Sequence, residues 1–104
     1  MSAVFADDNT RAGLALGKLN ELGSPDHIAN HLHEHGVVGD HHAETCPIAN
    51  HIRRETRLNV SVTHLAWRIA DNSSTFGWHL PEHVAAFILA FDEGRYPDLV
   101  TKDD

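Results

Sequence analysis

The chain has a single cysteine, Cys46, in 104 residues. No intrachain disulfide can form, and neither can a four-cysteine zinc site. No apolar run approaches the ~20 residues that a membrane span requires. Residues 1–10 carry Asp7 and Asp8 and no basic residue. They lack the basic region, apolar stretch and small-residue cleavage site of a secretory signal. A lone thiol without such a signal predicts a reducing, cytoplasmic setting. There is no internal repeat and no low-complexity tract. Basic residues are scarce as well: 8 Lys and Arg stand against 15 Asp and Glu, for a formal charge of -7. That balance repels nucleic acid at long range.

The charge is unevenly spread. Residues 1–44 and 71–104 are each strongly acidic. Residues 45–70 carry Arg53, Arg54, Arg57 and Arg68 against Glu55 alone. Apolar residues make up 41% and charged residues 22%, which is enough apolar matter for one packed core and too much for a disordered chain. The expectation is one globular domain over residues 10–100, with flexible tails at 1–9 and 101–104.

Periodicity places the elements. Ala12, Ala15, Leu16, Leu19 and Leu22 recur at i, i+3, i+4, i+7 and i+10, one helical stripe that Gly23 stops. Ser24-Pro25-Asp26 opens a second helix with a cap, a proline at the first position and an acid at the positive end of the dipole. Ile28 and Leu32 form its buried line, and Gly36 ends it. After a loop over 37–44, Thr45 is the expected N-cap of a third helix running to about Arg57. That helix turns Ile48, Ala49 and Ile52 inward and Asn50, Arg53, Arg54 and Arg57 outward. Residues 59–63 alternate as a strand. Leu65, Trp67 and Ile69 then fall out of phase with Val62, which predicts a bulge near Thr63 or His64, with a short helix over 64–70 as the competing reading. A turn at 71–74 leads to a second strand through Phe76, Trp78 and Leu80. Leu80, Val84, Phe87, Ile88 and Phe91 form the stripe of a closing helix that starts at Pro81 and stops at Gly94. Three N-terminal helices, a β-hairpin and a C-terminal helix make a small α+β domain. Trp67, Phe76, Trp78, Phe87 and Phe91 are the expected centre of its core.

Three groups of residues bear on function. Arg53, Arg54, Arg57 and Arg68 are the expected partner-binding surface, because opposed charge patches orient a partner more than they stabilise a fold. The same helix order is that of a winged helix, so residues 45–70 offer an alternative contact with DNA. Ten histidines form the second group. His31, His35, His41 and His42 are the metal ligands under a further alternative, since histidines at i and i+4 present two imidazoles to one ion. No His-Glu-x-x-His motif supports them. Cys46 is the third, at a helix start where the dipole favours a thiolate. His41, His42 and His51 are its candidate bases, yet no complete set of nucleophile, base and stabiliser is visible. The chain therefore reads as a non-enzyme with no cofactor. Residues 96–100 either fold back over Phe87 and Phe91 or offer an extended segment to a partner's sheet edge.

Cys46-Pro47-Ile48-Ala49, Val60-Ser61-Val62 and Leu80-Pro81 precede a closing helix with Val84, Phe87 and Phe91. Asp92, Gly94, Tyr96, Pro97 and Leu99 complete a Phe-Asp-x-Gly-x-Tyr-Pro ending. Over residues 24–100 this resembles a group of small uncharacterised proteins of actinobacteria and their phages. The resemblance implies a cytoplasmic accessory protein, regulatory or protein-binding, encoded by a phage or mobile element. It implies no catalytic residue.

Overall fold

The structure, a computed structural model, describes residues 8–69 and 78–101. Among these residues the chain forms α1 (Asp8–Asn20), α2 (Pro25–Glu34), α3 (Pro47–Thr56), β1 (Val60–Val62), β2 (Ala66–Ile69), β3 (Trp78–His79) and α4 (Glu82–Asp92), then a 3-10 turn at Pro97–Leu99. This is the expected α+β arrangement. The domain starts slightly earlier than expected, since Asp8 already belongs to α1, and Thr101 donates its N–H to the Gly39 carbonyl at 2.7 Å.

The sheet departs from expectation in one respect. The phase change after Val62 is a turn and not a bulge or a helix. Thr63 accepts the N–H groups of Leu65 and Ala66 on its hydroxyl, and its own N–H bonds the Ala66 carbonyl at 2.9 Å. One threonine thus closes the antiparallel β1–β2 hairpin, pairing Val60 with Ile69 and Val62 with Trp67. β3 then adds to the far edge of β2, giving the order β1-β2-β3. The expected turn at 71–74, Phe76 and the side chain of Trp78 lie outside the described residues.

One continuous core joins all layers. α2 packs on α4, while α3 packs on α1 and β1. Leu16, Ile28, Leu32, Ile48, Ile52, Val84 and Phe87 are fully buried. Phe87 lies parallel to Phe91 and to Tyr96, with ring centroids 6.0 and 5.3 Å away. Burying one such large apolar side chain stabilises by about 1.5–3 kcal/mol. The Tyr96 hydroxyl donates to Asp26 at 2.8 Å and ties the chain end to the start of α2. Residues 96–100 therefore fold back over the core rather than stand free for a partner.

The caps are partly as the sequence indicates. Ser24 caps α2 by accepting the His27 N–H. Cys46, not Thr45, caps α3: its sulfur accepts the Ala49 N–H at 3.4 Å, while the Thr45 hydroxyl donates to Asp40. α4 begins after Pro81 with no cap of its own, and Asn20 from the end of α1 accepts the His83 N–H at 2.8 Å.

Gly39 closes the fold. Its N–H donates to Leu99, and its backbone pairs with Val100 in a parallel bridge. On its other side the main chain of 45–47 comes so near that a Cβ would lie 2.4 Å from the Thr45 carbonyl oxygen and 2.5 Å from the Pro47 nitrogen. Main-chain atoms at a helix start cannot move aside as a flexible side-chain tip can. Gly39→Ala should therefore destabilise by about 3 kcal/mol, the upper part of the overpacking range. Thermal melts should show a fall of about 15 °C, and an unchanged melting temperature would mean the crossing is looser than described.

Candidate functional site

The arginines gather at the C-terminal end of α3, where four main-chain carbonyls lack helical partners and the dipole is negative. Arg11 reaches across from α1 and donates to the Thr56 carbonyl at 2.6 Å. Arg53 donates to the Glu44 carbonyl and to the Asn50 side-chain oxygen, both at 3.0 Å. Arg54 donates to the His35 carbonyl at 2.7 Å and so also closes the end of α2. Arg57 follows the helix with φ at 64°, its N–H on the Arg53 carbonyl. Arg53, Arg54 and Arg57 are exposed. Arg68 is not with them: it lies cross-strand from Ser61 on the outer face of the sheet. Among the described residues none of these four guanidinium groups forms an ion pair.

The histidine set of the metal alternative is not brought together. His31, His35, His41 and His42 do not converge, because the loop after α2 carries the last two to the other side of α3. His41 lies over Phe91, with ring centroids 4.6 Å apart, and its Nδ1 is 3.2 Å from Asp92. His42 pairs with Asp40 at 3.3 Å. His31 stays beside His35, ring centroids 4.3 Å apart, and meets His51 of α3 edge-on at 5.7 Å. Among the described residues no three His, Cys, Asp or Glu side chains are placed to hold a metal ion.

Cys46 is buried, and burial pushes its thiol above the ordinary value, with Asp92 and Asp40 adding in the same direction. The Ala49 N–H opposes this without reversing it. A thiol held in the protonated form is a poor nucleophile. Asp40 is the opposite case: the Thr45 hydroxyl and the His42 N–H hold its carboxyl down at about 2.

His51 is the functional residue that sequence reasoning passed over as a site in its own right. It precedes Ile52 and follows Ile48 by three positions, so it borders the inward face of α3. Its side chain is 8% exposed and faces a cavity shared with Lys18, His31, His35, Arg54 and Glu55. α2 packs mainly on α4, and residues 35–46 connect it to α3. Among the described residues no helix is long and apolar enough to cross a membrane. Compared with family models, curated proteins and solved structures, the chain matches none.

Burial holds the His51 imidazole below the ordinary value of 6.5, with His31, His35 and Arg54 acting in the same direction and Glu55 against them. The unfolded chain therefore takes up a proton at this residue before the folded one does. The stability that neutral His51 contributes is complete above about pH 6.5 and is lost as pH falls toward its folded value. The drop in melting temperature between about pH 7.5 and about pH 5.5 should shrink in His51→Gln relative to the parent chain. Equal drops in the two proteins would refute the assignment.

Proposed function

We propose that this chain is a small, non-enzymatic, cytoplasmic accessory protein that binds an acidic segment of a partner protein at the C-terminal end of α3. The observation that carries this reading is Arg57. Among the described residues it is the one non-glycine residue with positive φ. A left-handed backbone costs an L side chain about 1–2 kcal/mol, and glycine at a helix end avoids that cost. The Arg57 side chain is exposed and without a partner among the described residues. Strained backbone clusters at contact and switch sites, and Arg57 joins it to an exposed charge.

Arg53 and Arg54 stand about one helical turn before it, Arg53 reaching to Glu44 and Asn50 and Arg54 to His35. Their hydrogen bonds go to neutral oxygens, so the positive field is undiminished by any carboxylate partner. An acidic segment would find there charge-assisted, forked donors. Arg68, on the sheet, contributes long-range charge only. The charge of -7 favours a protein partner over duplex DNA. The resemblance to small actinobacterial and phage proteins supports the accessory role.

A labelled peptide rich in Glu and Asp and a labelled DNA duplex, each titrated with the full chain by fluorescence anisotropy, separate the two. The peptide should bind and the duplex should not. Arg53→Gln with Arg57→Gly should weaken the peptide about tenfold. Arg57→Gly alone should raise stability by about 0.5 kcal/mol, strain relief exceeding the added freedom of the unfolded chain. A duplex that binds with steep salt dependence, while the peptide does not, would replace this reading with the DNA one.

A further inference from the structure

A cavity of about 320 Å³ opens between α1, α2 and α3. Its polar lining is mostly cationic or able to become so. Lys18 comes from α1, His31 and His35 from α2, and His51 and Arg54 from α3; Glu55 is the sole carboxylate among the lining residues. His51 is more than nine-tenths buried, and among the described residues neither of its ring nitrogens has a hydrogen-bond partner. Buried polar groups are almost always paired, so an unpaired imidazole facing a cavity points to a ligand or an ordered water.

Two ligand classes could satisfy imidazoles: a metal ion or an oxyanion. The described residues place no three side chains to hold a metal, and the ammonium and guanidinium beside the histidines repel a further cation. An oxyanion suits every group but Glu55. Arg54 spends one N–H on the His35 carbonyl, which fixes its guanidinium at the rim and leaves its other donors. Lys18 is exposed and reaches the opening from the opposite helix. Neutral imidazoles donate one N–H each, and protonated ones donate two and add charge.

We propose that this cavity is an oxyanion-binding site for the phosphate of a phosphomonoester or the carboxylate of an organic acid. The site shares Arg54 with the partner surface, but neither Arg53 nor Arg57 lines the cavity. Its binding is linked to protons. The groups facing His51 are Glu55 and Arg54 on its own helix and His31 and His35 from α2, with Lys18 across the cavity on α1. Glu55 alone among them favours a charged imidazole. A bound oxyanion supplies the missing negative charge, favours the charged form of His51 and so binds more tightly in mild acid.

The test is a histidine-resolved NMR titration of the full chain with sodium phosphate, phenyl phosphate and sodium acetate at matched ionic strength. It is run at about pH 7.5 and about pH 6. Saturable shifts of the His31, His35 and His51 ring signals, at least about fivefold tighter at the lower pH, are expected. Response to the two phosphates assigns a phosphomonoester, and response to acetate alone assigns a carboxylate. Lys18→Gln, at an exposed position, should weaken binding about tenfold without changing the melting temperature. Absence of saturable shifts at both pH values overturns the proposal, as does an unaltered affinity in Lys18→Gln. Zinc chloride moving all three ring signals where phosphate does not would overturn it in favour of a metal site. Arg53→Gln with Arg57→Gly should bind phosphate as the parent chain does, so loss of the partner surface and loss of this site read out separately.

Discussion

The fold is held together at a point where no side chain fits. Gly39 passes between the main chain at the start of α3 and the returning chain at Leu99 and Thr101. Around that crossing the polar groups of the loop satisfy one another. The Asp40 N–H bonds the Thr45 carbonyl at 3.0 Å, and the Asp40 carboxylate takes the Thr45 hydroxyl and the His42 N–H. The Asn50 amide donates to the carbonyls of Val38 and Thr45. Main-chain bonds and side chains of α3 satisfy most of the loop's backbone groups, and the Asp40 carboxylate takes the His42 N–H. The start of α3 is thus fixed from outside the helix. Its other end is fixed from α1, by Arg11 on the Thr56 carbonyl. Everything assigned here to α3 depends on those two anchors.

With α3 pinned, its two long sides acquire different neighbours. One side gives Ile48 and Ile52 to the core, with α1 and β1 against them. His51 lies at the border, near enough to α2 to touch His31 and too deep to reach water freely. Its depth and the Arg54 guanidinium near it lower its affinity for a proton. Histidines on the opposite side of α3 face the reverse situation: His41 and His42 each lie beside a carboxylate, Asp92 and Asp40. One chain therefore holds histidines in two electrostatic settings, and a count of ten histidines does not distinguish them.

What the sequence disclosed follows from how local each feature is. Helix stripes, glycine stops and the Ser24 cap are settled within a few residues, and α2 and α4 could be read with their buried lines intact. The exchange of Thr45 for Cys46 as the cap was not legible, because Asp40 competes for the threonine hydroxyl from across the loop. The turn at Thr63 was hidden for a related reason: a side-chain hydroxyl closing a turn leaves no glycine or proline signal, and only the change of phase marks it. The cap of α4 comes from Asn20, in a helix far away in sequence, which no local pattern encodes. Among the candidate sites, the arginines of α3 were visible as charge. The histidine pairing was not, since whether His31 meets His42 or His51 depends on the course of the loop between them.

The basic patch in an acidic chain has a structural origin as well as a use. Exposed carbonyls at the end of α3 attract cations, each worth about 0.3–1 kcal/mol in such a place. Arg11 meets that demand at the Thr56 carbonyl, while Arg53 bonds the Glu44 carbonyl before α3 and Arg54 the His35 carbonyl at the end of α2. A carbonyl bond orients a guanidinium without cancelling its charge, whereas a carboxylate would do both. The arrangement consequently stabilises the helix end and leaves a positive field outside it. Arg57 adds to that field while costing the fold its left-handed backbone. Salt limits the reach of such a field to about 8 Å under physiological conditions. Beyond that distance the net charge of -7 governs. Under the proposed reading, such a surface would discriminate at contact, attracting an acidic group brought close to α3 while the net charge opposes a polyanion at long range.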